Sequence, residues 1–176
     1  MKALTSLAVV AITGLIAIAA QAIINHQSRP APDQASSGRI GTVVKVADGD
    51  TLTVLIDGEK LKVRLCGIDA PEKAQALGKE SGDYLRAMAL NKQVAVTRIE
   101  TDRFGRTVGE VFVLDGEKFT NEALVLAGLA YHYPQYSGKC PNRDSVIEAE
   151  KIAQSKRSGV WADSSAVKPW DYRKTR

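Results

Sequence analysis

Residues 40–68 have the sequence IGTVVKVADGDTLTVLIDGEKLKVRLCGI, and this stretch predicts strands joined by tight turns. The three predicted strands span 40–46, 51–56 and 60–68. The first two are rich in β-branched side chains, which is typical of strands. Asp48-Gly49-Asp50 turns the chain after the first strand, and Asp57-Gly58 is a strong hairpin signal after the second. The third strand alternates, with the side chains at 61, 63 and 65 on one face.

The rest of the chain predicts two more strands and three helices. Strand patterns recur at 93–99 and 107–114, on either side of a turn at Phe104-Gly105. Helical patterns span 79–90, 121–126 and 143–157. Asn121 is the expected N-cap of the second helix, and Tyr84, Leu85 and Met88 form the expected apolar stripe of the first. This order of elements predicts an α+β fold, a five-stranded OB-type β-barrel flanked by three α-helices.

Composition sets limits on the class of protein. The chain has 176 residues, which suits one domain with a short appendage. Its 44% hydrophobic content excludes wholesale disorder. With 2 Cys and 2 His, the chain is neither a disulfide-dense miniprotein nor a Cys-based structural zinc protein. The net charge of +4 favours polyanionic partners such as nucleic acid.

The N-terminal residues predict export of the domain that follows them. Residues 3–25 carry no charged side chain, and Ala20-Gln21-Ala22 places small residues around a cleavage point. Residues 1–25 therefore form either a signal peptide or an uncleaved signal anchor long enough to span a bilayer. The expected location is secreted or periplasmic, or anchored with the domain outside the cytoplasm. Residues 26–38 are polar and contain Pro and Ser, as in a flexible spacer.

Acidic residues at predicted strand ends and two arginines have the chemistry of a phosphodiester-cleaving site. Asp50, Asp69 and Glu72 lie at or just beyond strand ends, Arg64 lies within the third strand, and Arg106 follows the Phe104-Gly105 turn. Two aspartates with backbone carbonyls and water can hold Ca²⁺ or Mg²⁺. Guanidinium groups match phosphate oxygens, and a further carboxylate can orient or deprotonate water. Taken singly, each of these residues is equally explained as a turn residue, a helix cap or a surface charge.

The grouping resembles the staphylococcal-nuclease-like, or thermonuclease, family. The motifs that carry the resemblance occur in one order along residues 39–163, so together they are far more specific than any one alone. They are ADGDT at 47–51, VRLCGIDAPE at 63–72, TDRFGR at 101–106, NEALVLAGLA at 121–130 and GVW at 159–161. The resemblance implies a five-stranded OB-type barrel with three helices in a nuclease domain over 39–163. It also implies Ca²⁺-dependent cleavage of DNA and RNA, with little sequence preference and 3′-phosphate products.

The resemblance also implies roles for individual residues. The carboxylate ligands of calcium correspond to Asp50 and Asp69, with the backbone carbonyl of Ala70 as a further ligand. The glutamate that positions or activates water corresponds to Glu72. The two phosphate-binding arginines correspond to Arg64 and Arg106. An acidic residue near the metal that is not an obligatory ligand corresponds to Asp48.

Departures from the family pattern concern the substrate-binding residues. Phe104 stands where the family archetype has tyrosine, and Arg103 replaces a lysine while keeping its positive charge for substrate binding. Tyr131, Tyr133 and Tyr136 resemble the family's base-stacking tyrosines, or they pack a loop against the barrel. The segment between Glu72 and the first helix is shorter than in the archetype.

Cys66 and Cys140 are candidates for a disulfide, because an exported protein with two cysteines commonly pairs them. The alternative is two separate thiols. Residues 164–176 form a basic tail, which is expected to be solvated or to grip a nucleic-acid backbone. We expect a monomer. The rival interpretations of the whole chain are a non-catalytic nucleic-acid-binding OB module and a calcium-stabilised structural domain at the cell surface.

Overall fold

The computed structural model describes residues 38–175, so the predicted export segment and most of the predicted spacer lie outside the described residues. The strands are β1 Arg39–Val46, β2 Thr51–Ile56, β3 Glu59–Leu65, β4 Ile68–Asp69, β5 Gln93–Thr101, β6 Thr107–Val113, β7 Lys118–Phe119 and β8 Tyr131–His132. The helices are α1 Gly78–Ala89, α2 Thr120–Leu126, α3 Arg143–Ser155 and α4 Pro169–Tyr172. Short 3-10 turns occur at Pro134–Tyr136, Gly159–Trp161 and Arg173–Thr175. Between residues 38 and 175, no helix is both long and apolar enough to cross a membrane.

The long strands close into a barrel. They pair in the order β3-β2-β1-β5-β6, with antiparallel neighbours, and β3 then pairs with β6 in parallel. This closing pair joins Val63 to Thr107 and Leu65 to Gly109. Closure removes the exposed edges that an open sheet would present. The predicted α+β fold with a five-stranded barrel is confirmed.

Residues 38–175 contain a fourth helix where three were predicted. Helix α4 lies in the predicted basic tail and spans only four residues, with Pro169 in its first turn. Proline fits there because its fixed φ angle suits a helix start and its missing N–H costs nothing. A helix this short is beneath the length at which periodicity is visible in a sequence.

The third predicted strand, 60–68, is interrupted after Leu65. Gly67 adopts a positive φ of 70°, in the left-handed region that favours glycine. The chain then forms β4, which pairs with β8 rather than continuing in the barrel. The interruption carries Asp69 out of the barrel wall and onto this second, two-stranded sheet.

The barrel interior and the helices share one apolar core. Val43, Leu52, Val54 and Val63 are fully buried inside the barrel, and Leu85 of α1 is fully buried against it. The apolar stripe of α1 differs from the predicted one, because Tyr84 is 39% exposed. Ser81 and Gly82 are buried instead, and Ser81 Oγ donates a hydrogen bond to the carbonyl of Leu129 at 2.7 Å.

Two links tie the β3–β4 connection to the second half of the chain. The predicted disulfide between Cys66 and Cys140 is present, at a sequence separation of 74. Asn121 does not cap α2 through its side chain, because Phe119 occupies the N-cap position. The buried side-chain amide of Asn121 instead donates through Nδ2 to the carbonyl of Cys66 at 2.8 Å.

Candidate active site

Two buried aspartates share one arginine at the mouth of the β2–β3 hairpin. Asp50 immediately precedes β2, and Asp69 ends β4. Arg64 on β3 contacts Asp50 Oδ2 through NH1 at 3.1 Å and Asp69 Oδ1 through NH2 at 2.8 Å. The hairpin places Arg64 there because it pairs Thr51 with Arg64. Asp69 is 1% exposed, so its charge depends on partners supplied by the protein.

Asp50 is held in place by the backbone amide of Ala70, the residue after β4, as well as by Arg64. Its Oδ2 accepts a hydrogen bond from the Ala70 amide at 2.8 Å, and its Oδ1 accepts one from the Thr51 hydroxyl at 3.1 Å. The Asp50 carbonyl accepts from the Leu65 amide at 2.8 Å. The peptide unit of Ala70 therefore lies directly beside the Asp50 carboxylate.

The two aspartates and neighbouring Asp48 concentrate negative charge in a place with little water. Burial, together with the charge of Asp50, raises the pKa of Asp48 to about 6. Burial also raises the pKa of the Asp69 carboxyl, although the Arg173 hydrogen bond and the Arg64 charge oppose the shift. Such repulsion within an acidic cluster is relieved when a cation binds there.

Gly49 allows the turn that carries these acids to approach helix α1. A Cβ atom at Gly49 would lie 1.9 Å from Ser81 Oγ and 2.7 Å from the Ala70 Cβ. Only glycine fits between the turn and the helix without a shift of one of them. A groove of about 310 Å³ begins at Asp48 and is lined by charged side chains of both signs, because Lys79 and Arg86 pair there with Asp83 and Lys73 lies beside them.

Glu72 lies at the same mouth, and a residue from the far end of the chain joins it to Asp69. Arg173 NH1 donates to Glu72 Oε1 at 2.7 Å, and Arg173 NH2 donates to Asp69 Oδ2 at 2.7 Å. Burial works against the charge of Arg173, but Asp69 and Glu72 hold the pKa of its guanidinium above the usual value. The structure thus gathers Asp50, Asp69, Glu72 and Arg64 as the sequence predicted, and it adds Arg173 to them.

Arg106 lies at the start of the neighbouring strand with a different partner. Its Nε donates to Asp102 Oδ2 at 2.7 Å, and its side chain is 25% exposed. Hydrogen bonds from Arg106 and Phe104 hold the pKa of Asp102 below its usual value, although partial burial works against ionisation. Thr107 pairs with Val63 in the parallel β3–β6 pair, so Arg106 lies on the strand next to the β3 segment that carries Arg64.

The remaining predicted substrate contacts are spread over two loops. Arg103 stacks over the exposed ring of Phe104, with its guanidinium carbon 4.8 Å from the ring centroid. Tyr131 is 3% exposed and packs edge-on against Trp161, as the packing alternative expects. Tyr136 is 59% exposed, and the ring of Tyr133 meets it edge-on at 4.9 Å.

Sequence reasoning missed the part of the C-terminal segment that reaches the site. The Trp170 ring stacks on Tyr133 with centroids 4.8 Å apart and planes 8° from parallel. Arg173 contacts Asp69 across 104 residues of sequence. A tryptophan in a tail expected to be solvated was the available signal, because such a large ring is seldom left without packing.

The donor set at the mouth fits a hard divalent cation. Across residues 38–175, no group of three or more His, Cys, Asp and Glu side chains is arranged to hold an ion by itself. Asp50 and Asp69 therefore need backbone oxygen and water as further ligands, which is the kind of shell that Ca²⁺ accepts. Positive charge already lies against these carboxylates, because the Arg64 guanidinium contacts both of them and the Arg173 guanidinium contacts Asp69.

Comparison with known proteins agrees with this geometry. The profile of the family described as staphylococcal nuclease homologue matches residues 62–163. "Protein ParB" of Escherichia coli is 38% identical over 141 residues, which covers 76% of this chain and 78% of that protein. An "Uncharacterized endonuclease" of Escherichia coli O157:H7 is 39% identical over 134 residues, covering 76% of this chain and 84% of that one. "Micrococcal nuclease" of Shigella flexneri is 38% identical over 141 residues, covering 76% and 80%. The chain therefore belongs to the staphylococcal nuclease homologue family.

Proposed function

We propose that this protein is a nuclease that hydrolyses phosphodiester bonds of DNA and RNA with little sequence preference, using Ca²⁺ and leaving 3′-phosphate products. The observation that carries the proposal is the buried pair Asp50 and Asp69, which both contact Arg64 at one barrel mouth. Family membership and relatives named nuclease or endonuclease support the hydrolytic activity. The oxygen donors at the mouth support the choice of a hard cation.

The acidic residues divide into those that would hold the cation and one that would act on water. Asp50, Asp69 and the carbonyl of Ala70 would hold the cation beside the hairpin mouth. When bound, Ca²⁺ supplies positive charge that polarises a phosphate oxygen. Glu72 is 39% exposed, so its carboxylate can reach water at the mouth and accept a proton from it.

The arginines would bind the phosphate and stabilise its developing charge. Arg64 is fixed by two carboxylates, so its guanidinium is already oriented before substrate arrives. Arg106 is oriented by Asp102 in the same way on the neighbouring strand. A guanidinium held in place costs little reorganisation when charge builds on the phosphate. Lys73, in the groove that begins at Asp48, would attract the rest of a polyanionic strand, whereas Lys79 and Arg86 are already paired with Asp83.

The test is digestion of single- and double-stranded DNA and RNA by the full chain with Ca²⁺, Mg²⁺ or EDTA. We expect cleavage with Ca²⁺ that EDTA abolishes, and fragment ends that need phosphatase treatment before a polymerase can extend them. Glu72→Gln should lose turnover while still binding nucleic acid. Glu59→Gln is the matched control, because Glu59 is an exposed glutamate at the opposite end of the β2–β3 hairpin. Binding without chelator-sensitive cleavage would favour the non-catalytic OB module instead.

We infer that the protein acts outside the cytoplasm. The Cys66–Cys140 disulfide supports this location, because such bonds persist mainly in oxidising compartments. The uncharged residues 3–25 support it from the sequence. Cell fractionation and the mass of the isolated protein test the inference together. A reduced, full-length chain found in the cytoplasm would contradict it.

A further inference from the structure

The C-terminal segment, residues 167–175, lies across the mouth that holds the acidic residues. Its start is fixed by Gln75, whose Nε2 donates to the carbonyl of Val167 at 2.9 Å. Trp170 then packs flat on Tyr133 and meets Tyr131 edge-on at 5.8 Å. Arg173 follows in the next turn of chain and reaches the carboxylates. The segment is thus anchored at three points around the site.

Arg173 uses the same oxygens that a bound cation would use. Asp69 Oδ2 accepts from Arg173 NH2 at 2.7 Å, and Oδ1 accepts from Arg173 NH1 at 3.2 Å and from Arg64 NH2 at 2.8 Å. Because Asp69 is 1% exposed, neither of its oxygens is open to solvent in this arrangement. A cation that coordinates Asp69 therefore has to displace Arg173, since two positive groups compete for one buried carboxylate.

Trp170 covers one face of the tyrosine beside the acidic residues. The rings of Trp170 and Tyr133 are in direct contact at 4.8 Å, so a nucleobase cannot stack on that face while the segment is docked. Arg173 comes three positions after Trp170, at the point where α4 passes directly into the 3-10 turn Arg173–Thr175. Movement of Arg173 away from Asp69 consequently disturbs the Trp170 contact as well.

We propose that residues 167–175 form a latch in which Arg173 occupies Asp69 and Glu72 until a divalent cation displaces it and uncovers the Tyr133 face. This inference rests on the proposed function in one respect, the binding of a cation by Asp69. Docking of the latch and binding of the cation are then mutually exclusive. Only the undocked fraction of the protein can then bind the cation, which lowers the apparent cation affinity by that fraction. Removing the latch should therefore raise the apparent affinity by the same factor.

The experiment is calcium titration of the full chain by calorimetry, without nucleic acid. Arg173→Ala is compared with Lys174→Ala, which removes the same charge from the same segment. Lys174 pairs with Asp171 at 2.8 Å, away from the site carboxylates. We expect Arg173→Ala to bind Ca²⁺ about tenfold more tightly than wild type, and Lys174→Ala to change affinity by less than about twofold. Arg173→Lys keeps the charge but loses the bidentate contact, so its calcium affinity should lie between those of Arg173→Ala and Lys174→Ala.

Tryptophan fluorescence gives a second readout that does not depend on activity. Calcium should change the emission of the wild-type chain as Trp170 leaves Tyr133, and Trp170→Phe should abolish that change while leaving Trp161 as an internal reference. Equal calcium affinity in wild type, Arg173→Ala and Lys174→Ala would overturn the latch and leave the cation site standing. Weaker binding by Arg173→Ala would overturn it too, and would make Arg173 a supporting residue of the site. No calcium binding by any of these proteins would overturn the cation site itself, and the latch with it.

Discussion

Removing the Cys66–Cys140 disulfide should lower the free energy of unfolding by roughly 4.5 kcal/mol. The bond closes a loop of 74 residues, and the chain-entropy relation gives roughly this value for such a loop. The effect comes from the unfolded chain, which gains freedom once the bond is absent. Both cysteines are buried, so Cys66→Ala/Cys140→Ala is the suitable variant, because alanine leaves no new polar group inside. For a domain of this size, the melting temperature should fall by about 15 °C.

Urea unfolding followed by circular dichroism measures the change directly. The double variant should also show a larger dependence of unfolding free energy on urea, since its unfolded chain exposes more surface than the cross-linked one. Adding a reductant to wild type should reproduce the loss, and adding it to the double variant should change nothing. A loss of less than about 1 kcal/mol would refute the reasoning, because the bond would then constrain little of the unfolded chain.

Three further predictions follow from the site and the core. Arg64→Ala leaves two buried carboxylates without their shared partner, so the free energy of unfolding should fall by about 3–5 kcal/mol and the initial cleavage rate should fall about a hundredfold. Wild-type turnover in this variant would show that Arg64 has no part in cleavage. Burial raises the folded-state pKa of Glu110 above its ordinary value of 4.5, so its contribution to stability is complete below that pH and is lost as pH rises through the raised value. Glu110→Gln should therefore gain stability relative to wild type between acid and neutral pH in parallel thermal melts, and a difference that shrinks as pH rises would contradict this. Gly49→Ala should lower the free energy of unfolding by about 3 kcal/mol, because the new Cβ meets Ser81. Gly58→Ala, with a positive φ but open space around it, should lower it by about 1 kcal/mol. The reverse order in denaturant titrations would show that the close approach to Ser81 is not the constraint at Gly49.

The barrel could be predicted from the sequence because its signals are local. The turns at 48–50 and 57–58 fix three strands, and alternation within each strand fixes the buried face. The β4–β8 pair could not be predicted, because two residues per strand carry no periodicity and their pairing depends on Gly67 turning the chain. Its consequence is large, since β4 carries Asp69.

The site was predictable to the extent that its members lie on one hairpin and its exit. Asp50 and Arg64 are brought together by the β2–β3 pairing that the turn residues already indicate, whereas Asp69 reaches Arg64 through the β4–β8 pair that they do not. Arg173 could not be foreseen, because a contact across 104 residues leaves no pattern in the intervening chain. The partner of Arg106 had a visible signal, since Asp102 lies four residues before it in the TDRFGR motif. The roles of these residues in catalysis and ion binding stay predictions.

The position of Arg173 has a practical consequence for work on this protein. Residue 175 follows it by two residues of a 3-10 turn, a rise of roughly 4 Å, so any polypeptide joined after that point starts close to the arginine that holds Asp69 and Glu72. A polyhistidine purification handle attached there would hold chelating imidazoles next to the carboxylates. Ion titrations on such material would report the handle together with the protein. Fusions and labels should be placed between the predicted export segment, residues 1–25, and residue 38 instead.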